Sequence, residues 1–344
     1  MARQDRARKP GIDPLLVRPG AHFTCVNDGL CCTDIHALGP ITKSEAKAMR
    51  KLSQASVAYN DDIEDLCLAA SRDGGCHFRV NGLCEVHAQH GAGAKPAGCR
   101  RFPYGLVATP DGGRITTEHR CPCRTLGTRP PIDLDDAVPS LKDEHGEFEI
   151  DQEAGRRIPL TEGRSVPWAD YVNLEGNMLE RLAAGEQAEA VLDKRPFPDL
   201  AERSWPVYAA EFFDMRDGTA GGEALVWFGD ALLALTAGHA PPTRDRPWAP
   251  FFARALARCE RPGDPEAMYN DWVGDELWMF RWLEWGPFDV GRAELATRLA
   301  IARKLQSWLE EIGLRADQAV AEALMVVEIA TVSSEWPKAV EDIV

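Results

Sequence analysis

Hydrophobic positions follow two patterns along the chain, and they change near residue 160. Beyond it, apolar residues recur at helical spacing. Leu295, Leu299, Ala302, Leu309 and Ile312 form one stripe that ends at Gly313. Trp278, Trp282 and Trp285 share a second helical face before Gly286-Pro287. Apolar runs at Ala224 to Ala237 and Ala319 to Val332 predict two further helices. Before residue 160 the signals are short and mixed. Thr42 to Glu45 reads as a capping box opening a helix to about Leu52. Asn81-Gly82, between Cys76 to Val80 and Leu83 to His87, predicts a two-residue hairpin. A second hairpin is expected from Gly105 to Glu118, turning at Asp111-Gly112-Gly113.

The reading is therefore α+β: a small metal-stabilised N-terminal cysteine-rich domain with short hairpins, followed by an all-α C-terminal domain. Its expected boundaries are a basic flexible arm at 1–20, a cysteine domain at 21–130, an acidic linker at 131–160 and a helical, Trp-rich domain at 161–344. Cysteine and tryptophan are segregated accordingly. Nine of the ten cysteines lie between Cys25 and Cys123, and all ten tryptophans lie between Trp168 and Trp336. Hairpins this short bury little surface of their own, so a bound metal is expected to supply the missing stability.

Such grouping is unlike packing cysteine, which scatters singly as Cys259 does. The net charge of −15 argues against a nucleic-acid partner, and no stretch approaches the roughly 20 apolar residues of a membrane span. Arg3, Arg6, Arg8 and Lys9 precede Gly11 and Pro14 rather than an apolar segment, which does not support a secretory signal. The expectation is a cytoplasmic protein whose clustered thiols bind metal rather than pair as disulfides.

Cys25, Cys31, Cys32, Cys76, Cys84, Cys99, Cys121 and Cys123 are the metal-ligand candidates. They could supply two four-coordinate sites, or one iron–sulfur cluster and one structural metal. Adjacent residues chelate one ion poorly, so the Cys31-Cys32 doublet suggests two centres, or one ligand with a hydrogen-bonding neighbour. Strict hairpin pairing sets Cys76 opposite His87, making His87 either a further ligand or a polar strand end. Asp28 reads first as a turn aspartate between Asn27 and Gly29, with an oxygen-ligand reading beside it, and Cys67 as a helical residue after Asp61 to Asp65, with ligation the lesser reading. Arg100, Arg101, Arg114, Arg120, Arg124 and Arg129 read first as a solvated rim that offsets thiolate charge. Arg100 and Arg101 are also the candidates for binding an anionic small molecule or cofactor, and His119 for proton transfer, each having a surface reading beside it.

Phe23-Thr24-Cys25 and Cys31-Cys32, then Cys76-His77-Phe78, Gly82 to His87 and Lys95 to Pro103, resemble the YkgJ-type cysteine-cluster family, the CxxCxxCC zinc- or iron-chelating domain. The resemblance covers about Phe23 to Cys123 and implies Cys25, Cys31, Cys32, Cys76, Cys84, Cys99 and Cys121 as ligands. This chain departs from the family pattern in having Asp28 where a second cysteine is expected, and in adding Cys123. The group includes flagellin lysine N-methylases, so the resemblance also implies a methyltransferase alternative using S-adenosylmethionine. No CxxxCxxC loop, Walker motif, HExxH or GxSxG occurs, and Gly218 to Gly222 follows no convincing strand. An iron–sulfur cluster is favoured over Zn2+, because the thiols exceed what one structural zinc needs. If an enzyme, the chain would be an oxidoreductase or a methyltransferase; the third expectation is a non-catalytic zinc-folded module with an unknown protein partner.

Overall fold

Strand-forming residues concentrate before residue 170. The strands are β1 (Leu15–Val17), β2 (Val57–Asn60), β3 (Asp65–Leu68), β4 (Arg79–Val80), β5 (Leu83–Cys84), β6 (Tyr104–Thr109), β7 (Gly112–Thr117), β8 (Gln152–Glu153), β9 (Arg157–Thr161) and β10 (Arg164–Pro167). Short helices intervene: α1 (Lys43–Leu52), α2 (Glu85–His90), α3 (Ala97–Arg101), α4 (Pro122–Thr125) and α5 (Leu134–Ser140). The rest is α6 (Trp168–Ala183), α7 (Ala188–Leu192), α8 (Trp205–Asp214), α9 (Ala220–Ala237), α10 (Ala249–Leu256), α11 (Pro265–Trp278), α12 (Phe288–Glu311), α13 (Ala316–Thr331) and α14 (Glu335–Glu341). This computed structural model describes residues 11–343 apart from 37, 61–63, 144, 240–243 and 260. The basic residues Arg3 to Lys9 lie outside the described residues. The chain is mixed α/β with a helical C-terminal region.

The main sheet has the order β1-β7-β6-β8, with β6 and β7 antiparallel and both outer strands parallel to their neighbours. Its hairpin turns at Pro110-Asp111, one step before the expected Asp111 to Gly113. Gly112 belongs to β7 because the N-terminal segment runs against it: a Cβ there would sit 2.1 Å from the Pro14 carbonyl oxygen, and its φ is +141°. Residues 15–17, expected in a flexible arm, are therefore a sheet strand. The expected acidic linker likewise contains α5, capped by Asp133, and β8.

Several helices lie where apolar spacing places them. Thr42 caps α1 with the full capping box, and α9 and α13 cover the apolar runs. The Trp278 to Trp285 segment differs. Helix α11 ends at Trp278, Phe280 turns left-handed at φ +58°, and residues 281–284 form a 3-10 turn. That break sends the Phe280 ring onto Trp168 and Tyr171 while Trp282 still packs on Tyr171 and Phe288. The α12 stripe is buried to Leu309, but Ile312 is 58% exposed. Cys67 is in β3, opposite Ala58 of β2, not in a helix; residues 61–63 of that expected helix fall outside the described residues.

The sheet and the helices meet through buried charge. Arg114 of β7 makes two hydrogen bonds of 2.7 and 2.8 Å to Glu175 of α6, with its guanidinium 3.9 Å from the Trp278 ring centroid. Asp275 of α11 accepts from Arg18 Nε at 2.6 Å, Arg124 Nη2 at 2.5 Å, Thr117 Oγ1 at 3.3 Å and His119 Nε2 at 3.0 Å. Burial opposes charge on Asp275, yet Arg124 and Arg18 prevail and hold its carboxyl well below the usual range. Arg114, Arg124 and His119 are thus buried structural partners rather than parts of a solvated rim.

Removing one member of such a pair leaves an uncompensated buried charge. Arg124→Ala is expected to destabilise the fold by about 3–5 kcal/mol in denaturant unfolding, against under about 1 kcal/mol for the exposed Arg203→Ala. A second expectation concerns Glu328, pushed up to about 8 by burial and then by Glu276, against the pull of Arg281. Its folded state keeps a proton that the unfolded state releases in the ordinary glutamate range. The linked stability is present below that range and is lost as pH rises towards about 8. Wild type should lose stability relative to Glu328→Gln over this window, by up to about 1.4 kcal/mol per pH unit, read from unfolding midpoints.

Candidate metal centre

The segment from Cys25 to Cys32 is folded by two left-handed residues, Asn27 at φ +57° and Gly29 at φ +85°. Gly29 is required where it stands, since a Cβ would lie 2.4 Å from the Gly82 carbonyl oxygen. Asp28 between them is only 4% exposed. Its Oδ1 accepts the Leu30 N–H at 2.8 Å, the turn role expected for it, while Oδ2 lies 2.7 Å from the Cys123 Sγ. Cys121 stands at the start of α4 with Pro122 behind it, and fully buried Cys123 accepts the Val26 N–H at 3.2 Å.

One ligand atom each from Asp28, Cys121 and Cys123 thus lies within 4.8 Å of the others, in a buried place that could hold a metal ion. Bonds of about 2.3 Å in a tetrahedral thiolate site would separate ligand atoms by about 3.8 Å, so small side-chain adjustments suffice. Exposed Cys25 adjoins the group, its thiol raised first by interaction with Cys123. Cys123 is raised first by its bond with Cys121. At Cys121 the Cys123 hydrogen bond lowers the thiol, but burial and the negative field of Asp28 leave it raised. These groups resist ionising together, and a divalent cation among them would remove that resistance.

Five other thiols line a cavity of about 470 Å³: Cys31, Cys32, Cys76, Cys84 and Cys99. The Cys31 and Cys32 sulfurs are 3.9 Å apart. The Cys76 N–H donates to the Cys32 carbonyl at 2.8 Å, tying the doublet to the third thiol. Cys84 begins α2 and is held down to about 5, first by a hydrogen bond from Cys32 and then by the His87 and Val86 amides and Lys95. Cys99 is pushed up to about 12 by burial. No three of these thiols come within 4.8 Å of one another, a wider spacing than around Asp28. Cys31 acts electrostatically on Cys76, Cys99 and Cys121, so the two groups adjoin through the doublet. All ten cysteines are free thiols.

The remaining candidates separate. The hairpin pairs Val80 with Leu83 and Arg79 with Cys84, and then ends, because α2 begins at Glu85. Cys76 therefore has no strand partner at His87, whose side chain is exposed on α2 while its backbone N–H serves Cys84. Cys67 does not itself line the cavity but packs behind Gly39, which does. Arg101 lines the cavity and is paired with Glu149 at 3.0 Å and Asp151 at 2.5 Å. Arg100 instead bonds the Lys142 carbonyl, and Arg129 the Cys123 carbonyl. His36, unremarked in the sequence, is a cavity residue. Its only sequence signal is its place four residues after the doublet.

No protein-family model, curated protein or solved structure matches the chain. No helix among the described residues is long and apolar enough to cross a membrane.

Asp28→Ala is expected to lower bound metal by one equivalent in elemental analysis, while Asp28→Cys, which restores a ligand at the same place, retains it. Cys67→Ser serves as the control and should retain the wild-type content. Unchanged metal in Asp28→Ala would remove this group from the ligand set.

Proposed function

We propose that the chain is a metal-binding protein with two centres, a single ion on Asp28, Cys121 and Cys123 with Cys25 as the fourth ligand, and an iron–sulfur cluster on the cavity thiols. The observation carrying this reading is the buried Asp28, Cys121 and Cys123 group, with five further thiols alongside. The tight group suits one tetrahedral ion. The wider set suits a polynuclear cluster, in which each thiolate binds a different iron. The motif succession of the YkgJ-type family supports the same division, with Asp28 making the ion site mixed-ligand in this chain.

A cluster there would supply one-electron chemistry next to a cavity of small-molecule size, which favours a redox enzyme. Cys84, already disposed to be a thiolate, and Cys32, its hydrogen-bond donor, are the first residues to bind it. The ion on Asp28 would act as a structural staple, fastening the Cys25 to Cys32 turn to α4. A non-catalytic zinc-folded module is the second reading, favoured by the burial of the Asp28 group. For methyl transfer from S-adenosylmethionine the support is the family resemblance alone; Gly218 to Gly222 leads into α9 from a loop, with Thr219 as its cap.

The test is iron, zinc and acid-labile sulfide analysis with a visible spectrum on protein purified without oxygen. Iron with matching sulfide and absorbance near roughly 400 nm is expected, lost in Cys84→Ser and retained in Cys123→Ser. Zinc alone, with no sulfide, would overturn the cluster and leave the zinc-folded module.

A further inference from the structure

The cavity beside the thiols contains more than sulfur. Its volume of about 470 Å³ is within the range of small-molecule sites, and Leu38, Ile41, Met49, Phe78 and Met279 give it apolar walls. Its acids are largely spoken for. Glu118 pairs with Arg120 and Asp151 with Arg101, leaving Glu284 at the exposed edge. The hydrogen-bonding capacity left over is mostly donor capacity. His36 is 8% exposed, stacks on Phe102 at 4.8 Å, and has no hydrogen-bond partner at either ring nitrogen among the described residues. Arg281 Nη1 is buried without a hydrogen bond; its nearest acid, Glu276, is 3.8 Å away, beyond bonding reach. Lys95, nearer the thiols, forms no side-chain hydrogen bond or ion pair among the described residues. A buried donor without an acceptor costs about 1–3 kcal/mol, so His36 and Arg281 on one apolar-walled space, with half-buried Lys95 at its thiol end, point to a ligand that brings the acceptors.

We propose that this cavity binds a small organic anion, with its charged end towards Arg281 and His36 and its apolar body along Met49, Phe102 and Met279. Arg281 is acted on by Glu276, Glu328 and Arg298 and then by Glu118, whose ion-pair partner Arg120 acts on His36. Arg281, Glu118, Arg120 and His36 therefore belong to one corner of the cavity. The same cavity is lined by both the charged corner and the thiols, so a molecule seated there would be placed to act as substrate for a centre they carry. That last role rests on the proposed metal chemistry; the binding itself does not.

The test uses the full chain as purified, with 3-phenylpropionate and its neutral analogue 3-phenylpropan-1-ol as probes in isothermal titration calorimetry and ligand-detected NMR. The anion is expected to bind at least about tenfold more tightly than the alcohol, since a hydrogen bond to a charged group contributes about 1.5–3 kcal/mol. Arg281→Met should reduce that preference to near unity, and His36→Gln should weaken it with the fold intact by circular dichroism. Lys95→Gln, at the thiol end, should leave the preference in place, which separates the proposed corner from general positive charge. Equal binding of both probes, a preference that survives Arg281→Met and His36→Gln, or no binding of either probe to the folded protein would overturn the proposal in favour of a water-filled cavity. Metal analysis of the same samples separates the two readings: an anion preference in metal-free, folded protein keeps this site and removes the redox role.

Discussion

The carboxylate of Asp275 holds together parts of the chain that are far apart in sequence. It accepts from Arg18 across 257 residues and from Arg124 across 151, and also from Thr117 and His119. Arg18 directly follows β1, Thr117 ends β7, and Arg124 directly follows Cys123. One side chain of α11 thereby sets the edge strand, the central strand and the α4 turn relative to the helices. The chain gains position from this pairing more than raw stability, because removing charges from water costs much of what their attraction returns. Arg114 with Glu175 repeats the device at the next contact, with aromatic rings closing over the guanidinium.

That anchoring explains how a thiol group can exist without a large core beneath it. Cys123 of the α4 turn is buried in one apolar cluster with Phe23 and the sheet residues Leu106 and Ile115. Asp28 approaches from a loop shaped by Asn27 and Gly29. Neither element is long enough to fix its own ligand. Their closeness follows from α4 being fastened to α11 and from the turn being closed by the Leu30 and Val26 amides. A metal ion would complete this arrangement by neutralising thiolates that otherwise resist forming together. The cavity thiols differ in character: more widely spaced, beside an open volume, and containing one sulfur already biased towards thiolate.

The sequence carries local features well. The α1 capping box, the Asn81-Gly82 turn and the helices over the apolar runs depend on neighbours within a few residues, and their patterns lie open to inspection. Cysteine grouping likewise marks the region where ligands gather. What spacing could not supply were partners distant along the chain. Arg114 and Arg124 look like parts of a solvent-facing rim until Glu175 and Asp275 are placed against them. His87 aligns with Cys76 only if strand pairing continues, and α2, beginning at Glu85, ends it. Asp28 offers both a turn and an oxygen-ligand reading in the sequence; one oxygen satisfies the turn, and the second acquires thiol neighbours only when Cys123 arrives from 95 residues away. His36 carries no motif at all; its unpartnered ring has meaning only inside the cavity.

X-ray absorption spectroscopy at the edges of the metals present in the purified chain tests the central claim most directly, that Asp28 and its neighbouring cysteines form a mixed-ligand metal site. The account expects one metal with a shell of sulfur at about 2.3 Å and a single oxygen at about 2.0–2.2 Å, the oxygen disappearing in Asp28→Cys. A purely sulfur shell in the wild type at every metal, or an oxygen that persists after that substitution, would contradict it.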